Sequence, residues 1–111
     1  HEMKRQMNAI NITSQLPSLL KPWSPNVLAQ FDGHDIMVGL GQKDYPWHTH
    51  TDFDDVFLVI QGHLTLEMRF AEGIQCVELN AGELFVVPRN VEHRPVAKGD
   101  VYFLLIEPTA S

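Results

Sequence analysis

The stretch that decides the fold runs from Gly41 to Gly62 and reads GQKDYPWHTHTDFDDVFLVIQG. Near its centre, Trp47-His48-Thr49-His50 places two histidines one residue apart. Residues i and i+2 of a β-strand point to the same face of a sheet. His48 and His50 therefore form half of a metal site if that face lines a cavity, and they equally fit a pair of surface histidines.

On both sides of this stretch, the chain reads as short strands joined by tight turns. Asp32-Gly33 has the signature of a two-residue hairpin between strands over 27–31 and 35–40. Further glycines close the turns that separate the later segments. The remaining predicted strands are 56–60, 64–70, 74–79, 84–87 and 101–106. Short strands at this spacing predict an all-β sandwich or barrel.

The first 25 residues do not continue this pattern. Pro17, Pro22 and Pro25 interrupt any long helix, which leaves room for one short turn over 14–20. We therefore predict an irregular N-terminal arm over 1–25, followed by a barrel over 26–108. Because Met3 is the third residue, residues 1–2 are expected to be a tag remnant.

Two predicted strands, 56–60 and 101–106, are apolar at every position rather than at alternate ones. Such strands are buried on both faces. The outer face of a single small barrel would otherwise meet water, so a second layer is needed. We expect a homodimer to supply it, with the arm contributing.

Composition limits the classes of partner and the compartment. The chain has 111 residues, enough for one domain, and a formal net charge of −6. An acidic chain disfavours nucleic acid and anionic membranes as partners, since both select basic surfaces. Cys76 is the single cysteine, which favours a reducing, cytoplasmic location and, on a strand, a buried side chain.

The residues around the histidine pair resemble the motifs of the cupin superfamily. Gly41, His48-x-His50, Asp55 and Gly62 resemble its first motif, and Gly82, Pro88 and His93 resemble its second. The resemblance covers residues 26–107. It implies a jelly-roll barrel, that is, a cupin-type double-stranded β-helix. It also implies a divalent metal ion (Fe, Mn, Ni, Co or Zn), for which the candidate ligands are His48, His50, Asp55 and His93.

The chain departs from this family pattern in three respects. One extra residue separates Gly41 from His48, and the second motif has Asn90 and Ala97 where glycine and asparagine are common. Asn90 suits a left-handed turn. Asp55 replaces the usual glutamate and is shorter by one methylene, so it binds the metal directly, binds through water, or leaves a three-histidine site. Asp54 is expected on the opposite face.

Alternation also predicts which side chains line the cavity. Phe57 and Val59 share the parity of Asp55 and are expected inside. On the last strand either Tyr102 and its i+2 neighbours point inward, or Val101, Phe103 and Leu105 do. With the first phase, the Tyr102 phenol could act as an acid or hydrogen-bond donor. Arg89 and Arg94 flank the second motif, where each is either a contact for an anionic substrate or simply solvated.

Three functions fit these features. The first is a metal-dependent enzyme, such as an oxygenase, isomerase or lyase, acting on a small anionic or hydroxylated molecule. The second is a non-catalytic domain that binds or senses a small molecule. The third is a structural barrel with a vestigial site. Because one fold supports many activities, the sequence alone does not select among them.

Overall fold

The computed structural model describes residues 7–16 and 20–109, so the predicted tag remnant lies outside the described residues. A 3₁₀ turn at Thr13–Gln15 precedes seven strands. The strands are β1 (Asn26–Phe31), β2 (His34–Asp44), β3 (Asp55–Gln61), β4 (His63–Phe70), β5 (Gly73–Asn80), β6 (Leu84–Val87) and β7 (Glu92–Pro108). Within the described part of the chain, no helix has the length and apolar character needed to cross a membrane. The division into an arm over 1–25 and a barrel over 26–108 stays a prediction.

The β1–β2 hairpin forms as predicted from Asp32-Gly33. Both turn residues have positive φ, 47° at Asp32 and 74° at Gly33. Two-residue hairpin turns need this left-handed backbone because it matches the twist of the flanking strands. The register pairs Phe31 with His34 at the turn.

Strand β7 organises the barrel because it pairs with strands on both of its halves. Its C-terminal half pairs antiparallel with β2 and β3, and its N-terminal half pairs with β4 and with the end of β2. The resulting strand order is β1-β2-β7-β3-β6, with β5 joined to β4. All seven strands are therefore parts of one antiparallel, all-β architecture, and the predicted fold class is confirmed.

The sequence predicted only residues 101–106 of this strand. The observed strand begins at Glu92 and continues through Pro95 and Lys98-Gly99-Asp100. Pro95 pairs with Leu66 of β4, and its carbonyl accepts a hydrogen bond from Tyr45 N at 3.0 Å. The exposed segment around Gly99 (φ 78°) lets the strand bend from one set of partners to the other.

Buried and half-buried side chains alternate along β3 and β7, although the two segments predicted within them are apolar at every position. Phe57 and Val59 are buried, whereas Val56 and Leu58 are half-buried on the outer face. On β2, however, the outward-facing Val38 is only 1% exposed. The second layer predicted over this outer face is thus present in part within the chain, and the predicted homodimer stays a prediction.

Cys76 was wrongly predicted to be buried. It lies on β5 and is exposed. Its register partner is Glu67, which points away from the core. Since β5 pairs only with β4, nothing on its other edge or outer face covers the thiol within the described residues.

Gly62, between β3 and β4, is required by both its backbone angle and its surroundings. Its φ is 97°, and a Cβ there would lie 2.6 Å from the backbone oxygen of Asp100. Gly82 has a similar φ of 86° but no atom within 4 Å of an added Cβ. A side chain at Gly82 would therefore meet backbone strain alone, whereas a side chain at Gly62 would meet both backbone strain and a collision with the Asp100 carbonyl.

We predict that Gly62→Ala lowers the free energy of unfolding by about 3 kcal/mol and Gly82→Ala by about 1 kcal/mol. Urea unfolding of the two variants beside the parent protein measures both values. Equal losses in the two variants would show that the contact with the Asp100 carbonyl has no energetic weight.

Candidate metal centre

The histidine pair lies on an extended segment between β2 and β3, and it is anchored by backbone bonds rather than by a regular strand. His48 N donates to His93 O at 3.0 Å, and His93 N donates to His48 O at 2.9 Å. This is an isolated antiparallel bridge to β7. Because paired residues face the same side of a sheet, the bridge brings the imidazoles of His48 and His93 together, with ring centroids 4.4 Å apart.

His50 is held by the turn that carries the second motif. Asn90 N donates to His50 O at 2.7 Å, and Asn90 has a φ of 69°. The expected left-handed Asn90 is thus confirmed, and its conformation aims the amide at His50. The His50 ring stacks on Phe53 with centroids 4.5 Å apart, which fixes the plane of the imidazole.

Asp55 and His93 complete the cluster from the starts of β3 and β7. Both are almost fully buried, at 2% and 1% exposure. His50 Nε2 lies 3.4 Å from Asp55 Oδ2, and His93 Nε2 lies 3.7 Å from the same oxygen. One nitrogen or oxygen from each of the four predicted residues lies within 4.8 Å of all the others. Ligands about 2.1 Å from a common ion lie roughly 3–4 Å apart, so the cluster has the dimensions of a metal site.

Backbone carbonyls fix the tautomers of two of the histidines. His48 Nδ1 lies 3.0 Å from Pro46 O, and His93 Nδ1 lies 2.8 Å from Val91 O. A carbonyl only accepts hydrogen bonds, so each neutral ring carries its proton on Nδ1 and leaves Nε2 with a free lone pair. Metal-binding histidines are oriented in the same way.

Burial and neighbouring charges act differently on these groups. Burial lowers the pKa of His48, and the nearby His93 and His50 lower it further. Burial also lowers the pKa of His93, but the Asp55 carboxylate and the Val91 carbonyl outweigh it, so the net pKa is raised. The lowered pKa of His48 favours the neutral form that binds a cation, whereas the raised pKa of His93 favours the protonated form, which competes with a cation.

Two buried polar atoms of the cluster have no hydrogen-bond partner: Asp55 Oδ1 and His93 Nε2. Leaving a buried polar atom unpartnered costs about 1–3 kcal/mol. A cation beside them would satisfy both atoms at once. The donor set of three imidazoles and a carboxylate also suits a divalent transition metal. The residues present therefore fit the metal that the sequence implied.

The cluster forms one end of a cavity of about 200 Å³. This is below the roughly 300–1,000 Å³ of sites for drug-sized ligands, so the cavity suits a small molecule. Aromatic and apolar side chains form most of the remaining wall. Besides His48, His50 and Asp55, the lining residues are Trp23, Pro25, Tyr45, Phe57, Pro95, Phe103, Leu105 and Glu107.

Five lining residues were not predicted from the sequence, and two of them, Glu107 and Trp23, bear most on the chemistry of the cavity. Glu107 Oε2 lies 3.8 Å from His50 Nε2. Burial and the neighbouring Asp55 carboxylate raise the pKa of Glu107 to about 7. Alternation along β7 from His93 would have placed Glu107 on the inner face. Positions 93, 95, 97, 101, 103 and 105 are all buried, and 107 continues the series. Trp23 carried no comparable signal.

Trp23 enters the cavity from the segment that precedes β1. Its Nε1 donates to Gln42 O at 2.8 Å, and its backbone has a φ of 60°. The indole occupies the space that a side chain at Gly41 would need, since a Cβ there would come within 2.9 Å of the ring. The first-motif glycine therefore makes room for Trp23.

Two of the predicted cavity-lining residues need correction. Tyr102 is half-buried and does not line the cavity, because β7 adopts the other phase, with Phe103 and Leu105 inward. Val59 is fully buried and points inward as expected, but it packs in the core rather than lining the open cavity. Phe57 does line it.

The other charged residues weighed in the sequence lie outside the cluster. Asp54 Oδ1 accepts from Arg89 Nε at 3.1 Å and from Arg89 N at 2.9 Å. Arg94 Nε donates to Glu67 Oε1 at 2.7 Å. His63, the first residue of β4, is also outside the cluster and forms hydrogen bonds with Glu78 and Asn80. Neither arginine lines the cavity, so the predicted contact with an anionic substrate has no support in the structure.

Comparison with known proteins gives a consistent family assignment. The family model described as "Cupin domain" matches residues 35–107. A cupin-2 domain containing protein from Shewanella frigidimarina NCIMB 400 is 34% identical, with a TM-score of 0.83 over 90% of this chain and 94% of that one. Both likenesses span nearly all of the described strands.

Two dioxygenases are also similar to this chain, one in sequence and one in fold. The 3-hydroxyanthranilate 3,4-dioxygenase of Yarrowia lipolytica is 28% identical over 89 residues, which is 80% of this chain but 52% of that protein. A hydroquinone 1,2-dioxygenase solved in complex with Fe3+ is 12% identical, with a TM-score of 0.80 over 99% of this chain and 37% of that chain. At that identity the second likeness concerns the fold alone, and this chain spans only part of either enzyme.

Proposed function

Because the chain belongs to the cupin family, we propose that it is a metal-dependent enzyme acting on a small molecule that carries a hydroxyl group. The observation that carries the proposal is the buried cluster at the end of the cavity. Asp55 Oδ1 and His93 Nε2 are buried there without partners. Groups left unsatisfied at this cost usually serve a function.

In this proposal the four predicted ligands hold the ion, and the cavity wall holds the substrate. His48, His50 and His93 present Nε2 atoms, and Asp55 supplies the carboxylate. A divalent metal bound there supplies Lewis acidity and open coordination positions for substrate oxygens. The aromatic wall excludes water and orients a flat molecule toward the ligand atoms. Glu107 is close enough to exchange a hydrogen bond with a group bound beside His50.

The relatives favour oxidative ring chemistry as the reaction class. Both enzymes named above are dioxygenases, and one holds iron. A set of three histidines and one carboxylate also suits Fe(II). We therefore propose iron as the working metal and dioxygen as the co-substrate. The alternative of a non-catalytic binding domain is favoured by the lack of any nucleophile among the described lining residues.

We predict that the chelator-stripped protein binds one divalent ion per chain and unfolds at a higher temperature once loaded. Metal at about 100 times its Kd adds about 2.7 kcal/mol to the stability. His48→Gln is expected to remove the gain, and His34→Gln, which lies outside the cluster, to keep it. Elemental analysis and thermal unfolding measure both. An unchanged unfolding temperature with every metal would refute the site.

We predict that the protein loaded with Fe(II) consumes dioxygen when supplied with dihydroxybenzenes, and that His48→Gln abolishes this uptake. An oxygen electrode with product analysis by mass spectrometry measures it. Tight binding of the same molecules without uptake or product would instead assign the non-catalytic binding role.

We also propose a homodimer that forms through the outer face of β6 and β3. Leu84 and Val86 on β6 are 59% and 42% exposed, beside the half-buried Val56 and Leu58. A continuous apolar face of this kind usually marks an interface. The exposed, unpaired thiol of Cys76 supports a reducing compartment such as the cytoplasm.

We predict that Leu84→Glu converts the dimer to a folded monomer, because a charge then lies in the apolar face. Ile74→Glu is the matched control, since Ile74 is 54% exposed but lies on β5. Size-exclusion chromatography with light scattering gives the mass of each. A parent protein that runs as a monomer at micromolar concentration would contradict the proposal.

A further inference from the structure

Three aromatic rings form a connected part of the cavity wall, and one of them, Phe57, lies beside the candidate ligand His93. Trp23 and Phe103 have centroids 5.9 Å apart, and Phe57 and Phe103 have centroids 5.8 Å apart. The bond from Trp23 Nε1 to Gln42 O holds the indole in place. Planar rings pack well against such faces. The shape and the small volume therefore favour a molecule with a single aromatic ring.

Apart from the four candidate ligands, Glu107 is the one charged side chain on the cavity wall among the described residues. Its side chain is 24% exposed, and its Oε2 lies 3.8 Å from His50 Nε2. Any group that approaches the open side of His50 therefore comes within reach of this carboxylate. In its ionised form the Glu107 carboxylate accepts hydrogen bonds and donates none, so this form favours a partner that carries a proton.

Among the described residues, no lysine or arginine lines the cavity to balance a negatively charged ligand. Arg94 forms ion pairs with Glu67 and Asp44, and Arg89 forms one with Asp54. A divalent ion in the cluster carries two positive charges, which the carboxylates of Asp55 and Glu107 offset. Tyr45 adds only a neutral hydroxyl to the wall. An anionic ligand would thus be desolvated with no net attraction in return.

From these features we propose that Glu107 determines specificity. The cavity accepts an uncharged single-ring molecule with a hydroxyl or amino group that donates a hydrogen bond to Glu107, and it rejects ring carboxylates. The inference rests on the proposed function for the identity of the site, but it concerns binding and requires neither iron nor turnover. Glu107 acts as a substrate-contact residue in it.

The test compares two ligands that differ in one group, hydroquinone and 4-hydroxybenzoate, by isothermal titration calorimetry. The protein is loaded with Zn(II), which does not activate dioxygen, so only binding is measured. Hydroquinone is expected to bind at least about tenfold more tightly than 4-hydroxybenzoate. Glu107→Gln, which is nearly isosteric, is expected to reduce this ratio about tenfold, and Glu107→Lys to reverse it.

Glu72→Gln is the matched control, because Glu72 lies exposed in the turn between β4 and β5. It is expected to keep the parent ratio. Equal or tighter binding of 4-hydroxybenzoate by the parent protein would overturn the inference, as would an unchanged ratio in Glu107→Gln or no binding of either ligand. Should Glu107→Lys fail to fold, as thermal unfolding would show, Glu107→Gln alone decides.

Repeating the titrations on metal-free protein separates this inference from the proposed function. Failure of metal binding or of dioxygen uptake refutes the enzyme, yet the preference for the uncharged ring would persist in the metal-free cavity. Conversely, an active enzyme that prefers the carboxylated ring keeps the function and overturns the role of Glu107.

Discussion

The pair of backbone hydrogen bonds between His48 and His93 is the constraint on which the site depends. It joins an irregular segment to the longest strand of the barrel, with N···O distances of 3.0 and 2.9 Å. That strand, β7, is fixed in turn by pairing with β4 on one half, with β3 on the other, and with β2 on both. The connection between β2 and β3 is therefore held as firmly as a strand at His48, where two candidate ligands lie side by side.

Local chemistry explains why the strands could be predicted and why part of β7 could not. The Asp32-Gly33 turn and the apolar runs over 56–60 and 101–106 carry strong local signals. Pro95 and Gly99 carry the opposite signal, yet tertiary pairing outweighs it because the carbonyl of Pro95 still bonds Tyr45. Because the N-terminal half of β7 was not predicted, the sequence did not show which side chains of the strand point inward. For that reason Tyr102 was considered for the cavity and Glu107 was not.

The four-residue cluster could be predicted from the sequence because its members stand at spacings that resemble the two cupin motifs. Trp23 was not accessible in this way. Its position depends on a φ of 60°, on a carbonyl 19 residues away at Gln42, and on the missing side chain at Gly41. Each of these is a feature of the folded chain. A glycine in a motif indicates that another part of the chain packs closely against it, but the sequence does not identify which residue that is.

The electrostatics of the cluster give the most direct physical reason for a metal. Two carboxylates and three imidazoles share a largely buried space, and burying charge is costly unless it is compensated. Without a metal, protons partly compensate it, since the pKa of His93 is raised and that of Glu107 is raised to about 7. A divalent cation can take over this role, releasing protons as it binds. The shortened Asp55 and the added Glu107 then act as parts of one arrangement, in which carboxylates from two neighbouring strands balance a single ion.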